Sequence, residues 1–290
     1  MDIQKNLKKK VYTLSHEIGS RGYLQIDAME RTVDYISSEL SSYGYDVSFQ
    51  TYRFQGNTYK NISAGIRGKK TPEKILIIGA HYDTVTGTPG ADDNASAIAG
   101  LLELARLLRN RSFDKSVRFV AFTLEEPPLF RSKFMGSHVY ARSLNEKRED
   151  IEGMICLEMI GYFTDKPESQ FFPLTFFKWM YSTTGNFILF VSNLQSKGFL
   201  NRVRHAFQKG TDLPVESISS LSIVPGIDFS DHRSFWKFGF NALMVTDTAF
   251  YRNPYYHGPG DVSETLDYIR MTKVVIGLKS AIETLAGLTD

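Results

Sequence analysis

Short apolar runs that end in charged or imidazole side chains constrain the fold of this chain more than any other feature of its sequence. Three such runs are residues 74–80, 117–122 and 153–157. They are followed by His81, by Glu125 and Glu126, and by Glu158. Short runs rich in β-branched residues are typical of strands buried on both faces of a sheet. Since ligands of open α/β sheets bind beyond the carboxyl ends of the strands, we expect these side chains at one edge of the sheet.

The rest of the chain alternates between strand and helix patterns. We predict further strands at residues 187–191 and 242–245, and a hairpin over residues 47–68 with Gly56-Asn57 at its turn. Apolar residues at helical spacing predict three helices. These span residues 27–44, 95–108 and 264–286. Strands that alternate with helices indicate an α/β fold of three layers, with a mixed, mostly parallel central sheet between helices.

The chain of 290 residues contains no internal repeat and no clear linker, so we interpret residues 1–290 as a single catalytic domain. One segment stands apart. Residues 171–181 are dense in aromatic side chains and lie in an insertion near residues 164–186. The insertion is interpreted as a segment packed over the sheet edge, with a wall of a substrate pocket and a contact between subunits as alternatives.

Charge and composition exclude several classes of protein. The net charge of +2, from 34 basic and 32 acidic residues, gives no electrostatic case for a nucleic-acid partner. With Cys156 as the single cysteine, neither an intrachain disulfide nor a cysteine metal cluster can form. A membrane span is not expected, because no stretch of 18 apolar residues occurs. The first residues lack the apolar core of a signal peptide, so a cytoplasmic location is expected unless a signal has been removed. The pattern predicts neither a monomer nor an oligomer.

Five polar residues at the predicted sheet edge form a set that suits zinc. They are His81, Asp93, Glu126, Glu158 and His257. Zinc takes imidazole nitrogen and carboxylate oxygen as ligands. We predict that His81 and Glu158 hold one ion, that Glu126 and His257 hold a second, and that Asp93 bridges them. Two Zn²⁺ with three carboxylates and one bridging hydroxide are electrically neutral, although a single ion remains an alternative.

Glu125 precedes a predicted ligand and is left over from the metal set. A carboxylate beside a metal-activated water is suited to act as general base, taking the proton of the water and returning it to the leaving amine. We therefore predict that Glu125 is the catalytic base.

Further polar residues are predicted to support the ligands, since a ligating histidine usually donates its other N–H to a carboxylate. Asp83 is placed to orient His81, and Asp231 or Asp261 to orient His257. For His232 we predict a supporting or a substrate-facing position. Aromatic residues near the same loops could line an apolar pocket for the substrate. These are Phe163, Phe229, Phe250, Tyr251 and Tyr256.

The same stretches resemble a known family in the family's order along the chain. They are His81-Tyr82-Asp83, Gly90 to Ser96, Leu124-Glu125-Glu126, Met135-Gly136-Ser137, Leu157 to Gly161, Ser230-Asp231-His232 and Tyr256-His257, with a weaker match at His16 to Arg21. The family is metallopeptidase family 28, which includes bacterial zinc aminopeptidases, glutamate carboxypeptidase and glutaminyl cyclase. The resemblance implies a mixed sheet of about eight strands, two co-catalytic zinc ions and a cis peptide bond after Asp93. Glu158 departs from the aspartate that many members have.

The resemblance implies release of N-terminal residues from peptides or small amides, with the five ligands and the base as predicted above. Two alternatives belong to other classes. One is an acyltransferase of the glutaminyl cyclase kind that uses one zinc ion. The other is a member of the fold that binds without catalysis. Because Glu125 and every ligand position are present, the second alternative is the less favoured.

Overall fold

The structure, a computed structural model, describes residues 2–289 and is built on one eight-stranded sheet. The strands are Ser48–Phe54 (β1), Asn57–Ile66 (β2), Thr71–His81 (β3), Lys115–Phe122 (β4), Asp150–Glu158 (β5), Ile188–Ser192 (β6), Val215–Ser219 (β7) and Ala242–Thr246 (β8). Their order across the sheet is β1-β2-β4-β3-β5-β8-β6-β7. The pairs β4-β3, β3-β5, β5-β8 and β6-β7 are parallel, and the other three are antiparallel. The mixed sheet expected from the sequence is confirmed, and we propose that the chain is one domain.

In the described part of the chain, seven α-helices cover the sheet. They are Ile3–Tyr12 (α1), Ile26–Ser42 (α2), Ala97–Leu108 (α3), Gly136–Glu146 (α4), Lys197–Gly210 (α5), His232–Lys237 (α6) and Tyr268–Ala286 (α7). Short π-helical segments span Thr13–Ile18 and Ala91–Ser96, and 3-10 turns span Thr175–Trp179, Ala249–Tyr251 and Ser263–Thr265. Across residues 2–289, none of the helices is long and apolar enough to cross a membrane.

Apolar side chains fill both spaces between sheet and helices. One cluster joins the sheet to α1, α2, α3, α5 and α7, and the other joins it to α4 and α6. The strand β3 lies between β4 and β5, and its residues 75–81 are all buried. A strand covered on both faces cannot alternate apolar and polar side chains, which is why it reads as a continuous apolar run. The three-layer arrangement predicted from the sequence is confirmed.

Some elements escaped the sequence analysis. The predicted hairpin, strands and three helices are present, but β7, α1, α4, α5 and α6 were not predicted. The strand β7 lies at the sheet edge with half-buried side chains, so its short sequence carries no apolar run. The last helix begins at Tyr268 rather than near residue 264, because Asp267 caps it by accepting the amides of Ile269 and Arg270.

Candidate active site

The predicted ligands and base come together at the carboxyl edge of four consecutive strands, β4, β3, β5 and β8. His81 ends β3 and Glu158 ends β5. Asp93 lies in the π-helical segment that precedes α3, and Glu125 follows β4. His257 lies in the loop after β8. The sequence separations between these residues are long, and only the parallel strands bring them into contact.

One part of the cluster, which we call the His81 half-site, comprises His81, Glu158 and one oxygen of Asp93. Nε2 of His81 lies 3.3 Å from Oε2 of Glu158 and 3.5 Å from Oδ1 of Asp93. Nδ1 of His81 lies 3.1 Å from the backbone carbonyl of Asp83. Because a carbonyl only accepts, this contact places a ring proton on Nδ1 and leaves Nε2 as the ring atom that faces the carboxylates.

The second part, the His257 half-site, comprises His257, Glu126 and the other oxygen of Asp93. Nε2 of His257 lies 3.1 Å from Oδ2 of Asp93 and 3.3 Å from Oε2 of Glu126. Each oxygen of Asp93 thus faces a different histidine. Ligand atoms of His81, Asp93 and Glu126 also lie within 4.8 Å of one another, so the two half-sites form one compact group.

Glu125 lies beside the His81 half-site without belonging to either set of close contacts. Its Oε2 is 4.0 Å from Nε2 of His81, and the residue is buried. Burial and the nearby carboxylates of Glu158 and Glu126 raise the pKa of Glu125 well above its usual value, against the opposing charge of His81.

The electrostatics of the cluster fit a divalent cation. Four buried carboxylates face two imidazoles. Although burial opposes the charged imidazole, Asp93 and Glu126 raise the pKa of His257 to about 10. Burial and Asp93 raise the pKa of Glu126 to about 8. Among residues 2–289, Oε1 of Glu126 is a buried oxygen with no hydrogen-bond partner. An excess of buried negative charge and an unused ligand oxygen are features that a bound metal would satisfy, and the nitrogen and carboxylate donors suit zinc.

Side chains next to Asp93 hold the turn that presents Glu158. Asn94 donates from Nδ2 to the Leu157 carbonyl at 3.1 Å and accepts the Met159 amide at 2.9 Å. Ser96 accepts the Ile160 amide at 3.0 Å. Asn94 therefore fixes the backbone on both sides of Glu158 by hydrogen bonds. Neither Asn94 nor Ser96 was predicted to have a role, although both lie in a stretch that carries the resemblance. The cis Asp93–Asn94 bond implied by that resemblance is confirmed.

The carboxylate of Asp83 serves the loop after β4. It accepts the backbone amides of Glu125 at 3.1 Å and Glu126 at 3.0 Å. His81 bonds instead to the Asp83 carbonyl, and its Nδ1 is 3.6 Å from Oδ1 of Asp83. Asp83 thus lies next to His81 as expected, and it also fixes the backbone of the base and of one predicted ligand.

The other predicted supporting residues lie elsewhere than expected. Asp261 accepts the amides of Asp92 and Asp93 at 2.8 and 3.1 Å, which fixes the segment that carries Asp93 rather than the imidazole of His257. Asp231 is fully buried on the side of the His81 half-site, and burial raises its pKa to about 7. The role predicted for His232, supporting the site or facing the substrate, stays a prediction. His232 is fully buried and donates from Nε2 to the Ile227 carbonyl at 2.8 Å.

Arg21 is a buried residue whose role the sequence did not reveal. Its guanidinium is fully buried and donates to five backbone carbonyls. The acceptors are Leu14, Gly19, Tyr82, Pro89 and Gly90. Arg21 therefore ties the segment after α1 to the loop that connects His81 with Asp93. The matching stretch His16 to Arg21 was the signal that pointed to it.

An apolar pocket opens beside Glu158, with an empty volume of about 840 Å³ that includes its mouth. Four of the five predicted aromatic residues line it, namely Phe229, Phe250, Tyr251 and Tyr256. Phe163 instead packs under the guanidinium of Arg252, 5.8 Å from the ring centre. Aromatic residues of the insertion complete the wall. They are Phe171, Phe172, Phe177 and Tyr181.

Comparison with known proteins places this geometry in context. The model of the family described as Peptidase family M28 matches residues 61–278. The chain is 43% identical over 280 residues to protein YfbL of Escherichia coli K12, covering 94% of this chain and 85% of YfbL. It is 30% identical over 226 residues to aminopeptidase YwaD of Bacillus subtilis, covering 75% of this chain but only 43% of YwaD.

Solved structures share the fold at low identity. The zinc aminopeptidase BSAP from Bacillus subtilis superposes with a TM-score of 0.78 at 18% identity, covering 99% of this chain and 95% of BSAP. A glutaminyl cyclase from Porphyromonas gingivalis superposes with a TM-score of 0.73 at 19% identity, covering 98% and 99% of the two chains. These similarities support the fold. They do not distinguish between an aminopeptidase and a glutaminyl cyclase activity.

Proposed function

The chain belongs to Peptidase family M28, and from that premise we propose that it is a zinc-dependent aminopeptidase that releases N-terminal residues from peptides. The aminopeptidase and zinc aminopeptidase names among its relatives support this class of activity. We propose two ions per chain. The ligands would be His81, Asp93, Glu126, Glu158 and His257, with Asp93 shared between the ions.

The observation that carries the proposal is the division of Asp93 between two histidines. Each of its oxygens faces one imidazole nitrogen, at 3.5 Å for His81 and 3.1 Å for His257. Each imidazole also faces a carboxylate of its own, Glu158 or Glu126. Two three-donor sets joined by one carboxylate are suited to a pair of ions with positions left open for water and substrate.

The chemistry of the chain's own residues centres on Glu125. When bound, zinc would polarise the scissile carbonyl and lower the pKa of the attacking water. Glu125 takes a proton from that water and returns it to the nitrogen of the leaving amine. Burial, which raises the pKa of Glu125, favours the step in which the carboxyl group returns the proton.

The experiment that tests this function is hydrolysis of amino-acid 4-nitroanilides by the purified protein. We expect activity that a chelator abolishes and added Zn²⁺ restores. The matched control is the same anilide with an acetylated amino group, which an aminopeptidase should leave intact. Hydrolysis of the acetylated substrate alone would contradict the proposal.

A one-zinc cyclase remains the second candidate, because a glutaminyl cyclase shares the fold. The same preparation should therefore be offered a peptide with N-terminal glutamine, and its zinc content should be measured. One tightly held ion together with release of ammonia and cyclisation of the glutamine would favour the cyclase. Two ions together with release of the N-terminal residue would favour the aminopeptidase.

A further inference from the structure

The aromatic segment, residues 164–187, has two distinct faces. Phe172, Phe177 and Tyr181 line the apolar pocket beside Glu158. Trp179 points away from the pocket and is 88% exposed. The segment connects β5 to β6, so this wall of the pocket belongs to a connection rather than to the sheet itself. Its shape therefore depends on how the segment is attached to the rest of the molecule.

Gln170 is the attachment point at one end of the aromatic segment. The residue is 3% exposed and borders the pocket. Its Oε1 accepts the Thr248 hydroxyl at 3.1 Å and Nε of Arg252 at 2.9 Å. Its Nε2 donates to the carbonyls of Phe171 at 2.9 Å and Tyr251 at 3.4 Å. An amide side chain offers two acceptor and two donor positions, so the hydrogen-bonding capacity of Gln170 is filled.

Arg252 attaches the other end of the segment. It is 4% exposed, and its Nη1 donates to the Phe187 carbonyl at 2.8 Å. Its guanidinium also lies over the Phe187 ring, 4.5 Å from the centre. Gln170 and Arg252 thus fasten both ends of the aromatic segment to the loop after β8. That loop continues to Tyr256 and His257, so the pocket wall and one predicted ligand share a single support.

We propose that Gln170 is a positioning residue that sets the side-chain specificity of the enzyme, by holding the aromatic wall so that a bulky apolar side chain fits beside Glu158. The inference rests on the proposed aminopeptidase function. Removing the amide would take the shared acceptor from the Thr248 hydroxyl and Nε of Arg252, and the side-chain donor from the Phe171 carbonyl. The Tyr251 carbonyl would keep the Phe171 amide as its donor. Buried polar groups that lose a partner are costly. The wall would then move to recover hydrogen bonds. A large side chain would lose apolar contacts with the moved wall, whereas a small one makes few contacts to lose.

The test compares kcat/KM for phenylalanine and alanine 4-nitroanilides in the zinc-loaded enzyme. For Gln170→Ala we expect the preference for phenylalanine to fall by about 10-fold, mainly through KM, with zinc content unchanged. The matched control is Trp179→Ala, which removes an aromatic ring from the outer face of the same segment. It should leave the preference within about twofold of the parent enzyme.

Gln170→Glu provides a second variant if the alanine variant does not fold. It keeps the acceptor for Thr248 and Arg252 and loses the donor to Phe171 and Tyr251, so we expect an intermediate preference. A preference unchanged in a folded Gln170 variant would overturn the proposal. An equal fall in kcat for both substrates would also overturn it, since that result indicates a general structural role.

Failure of the aminopeptidase function gives a different result. In that case the parent protein hydrolyses neither anilide, and calorimetry with phenylalaninamide and alaninamide then tests the wall alone. Tighter binding of phenylalaninamide by the parent, lost in Gln170→Ala and kept in Trp179→Ala, would support the role of Gln170. Equal binding of both amides by the parent would overturn it.

Discussion

The two half-sites use the same kinds of donor but differ in how they are held. His81 ends a central strand, is 1% exposed, and has its Nδ1–H fixed on the Asp83 carbonyl. His257 lies in a loop, is 29% exposed, and has a left-handed backbone with φ of 55°. A left-handed conformation in a residue other than glycine is disfavoured, so the surrounding loop must hold it.

The carboxylates of the two half-sites differ in the same way. Glu158 accepts the Ser230 hydroxyl on Oε2 at 2.5 Å, and Asn94 grips the backbone on both sides of it. Glu126 is fixed through its backbone amide, while its Oε1 has no hydrogen-bond partner within residues 2–289. Outer partners orient ligands and strengthen metal binding. We therefore expect the His81 half-site to hold its ion more tightly than the His257 half-site.

The largest effect on kcat is expected from replacing Glu125, and the same variant tests whether Glu125 is a metal ligand of the His81 half-site. Glu125→Gln keeps the size of the side chain but cannot accept a proton from water. We expect kcat to fall by about 10²–10⁴-fold, the usual contribution of a general base, while zinc content stays that of the parent enzyme. Parallel measurement of anilide hydrolysis and of zinc by mass spectrometry checks both points. Loss of one ion would instead make Glu125 a ligand of the His81 half-site.

The comparison predicts next that zinc leaves the enzyme in two stages. Under a chelator, the ion of the His257 half-site, whose histidine is the more exposed of the two, should leave first. Outer partners are worth about 10–100-fold in affinity, so the two stages should differ by a similar factor. Zinc content followed over time, with anilide hydrolysis in the same samples, makes the measurement.

Two variants identify which half-site each stage belongs to. His257→Ala should retain one ion that resists the chelator, whereas His81→Ala should retain only an ion that is lost early. Release of both ions at one rate from the parent enzyme would contradict the expected difference in zinc affinity between the half-sites.

A smaller effect is expected from the partner of Glu158. Ser230→Ala removes the hydroxyl that donates to Oε2 of Glu158. We expect zinc affinity of the slower stage to fall by about 10-fold, with the faster stage unchanged. Competition with a chromogenic chelator gives both affinities. Ser132→Ala, a change in the loop after Glu126, provides a control that should alter neither stage.

The sequence predicts the positions that backbone geometry determines. His81 and Glu158 follow apolar runs, and parallel strands must bring such positions to one edge. For this reason the sheet, its layers and the cluster of predicted ligands could be anticipated from a single sequence. A shared position for Asp93 was also expected, because a pair of zinc ions needs a bridging ligand.

The supporting contacts could not be predicted in the same way. Arg21 binds backbone carbonyls from distant segments, and hydrogen bonds to the backbone leave no trace in residue type. His232 lies in a stretch that carries the family resemblance, and the sequence did not reveal that its ring is fully buried at the start of α6. The orientation of the aromatic segment depends on Gln170, whose neutral amide gives no sequence signal. The sequence therefore did not predict contacts between side chains and partners that are distant along the chain.

The smallest effect is expected on the pH dependence of stability, from His232 at the start of α6. Burial lowers the pKa of His232 to about 4, below the usual 6.5, so folding favours its neutral form. Its contribution to stability is complete above pH 6.5 and is lost as the pH falls towards 4, because the unfolded chain then takes up a proton that the folded chain does not.

His232→Gln keeps a donor for the Ile227 carbonyl and removes the titration. We therefore expect the dependence of the free energy of unfolding on pH between 6.5 and 4 to flatten, by at most about 1.4 kcal/mol per pH unit. Urea unfolding at several pH values measures this slope. His138→Gln, which replaces a half-buried imidazole on α4 in the same layer, is the matched control and should change it less. A slope equal to that of the parent would mean that titratable groups other than His232 set the acid sensitivity of the fold.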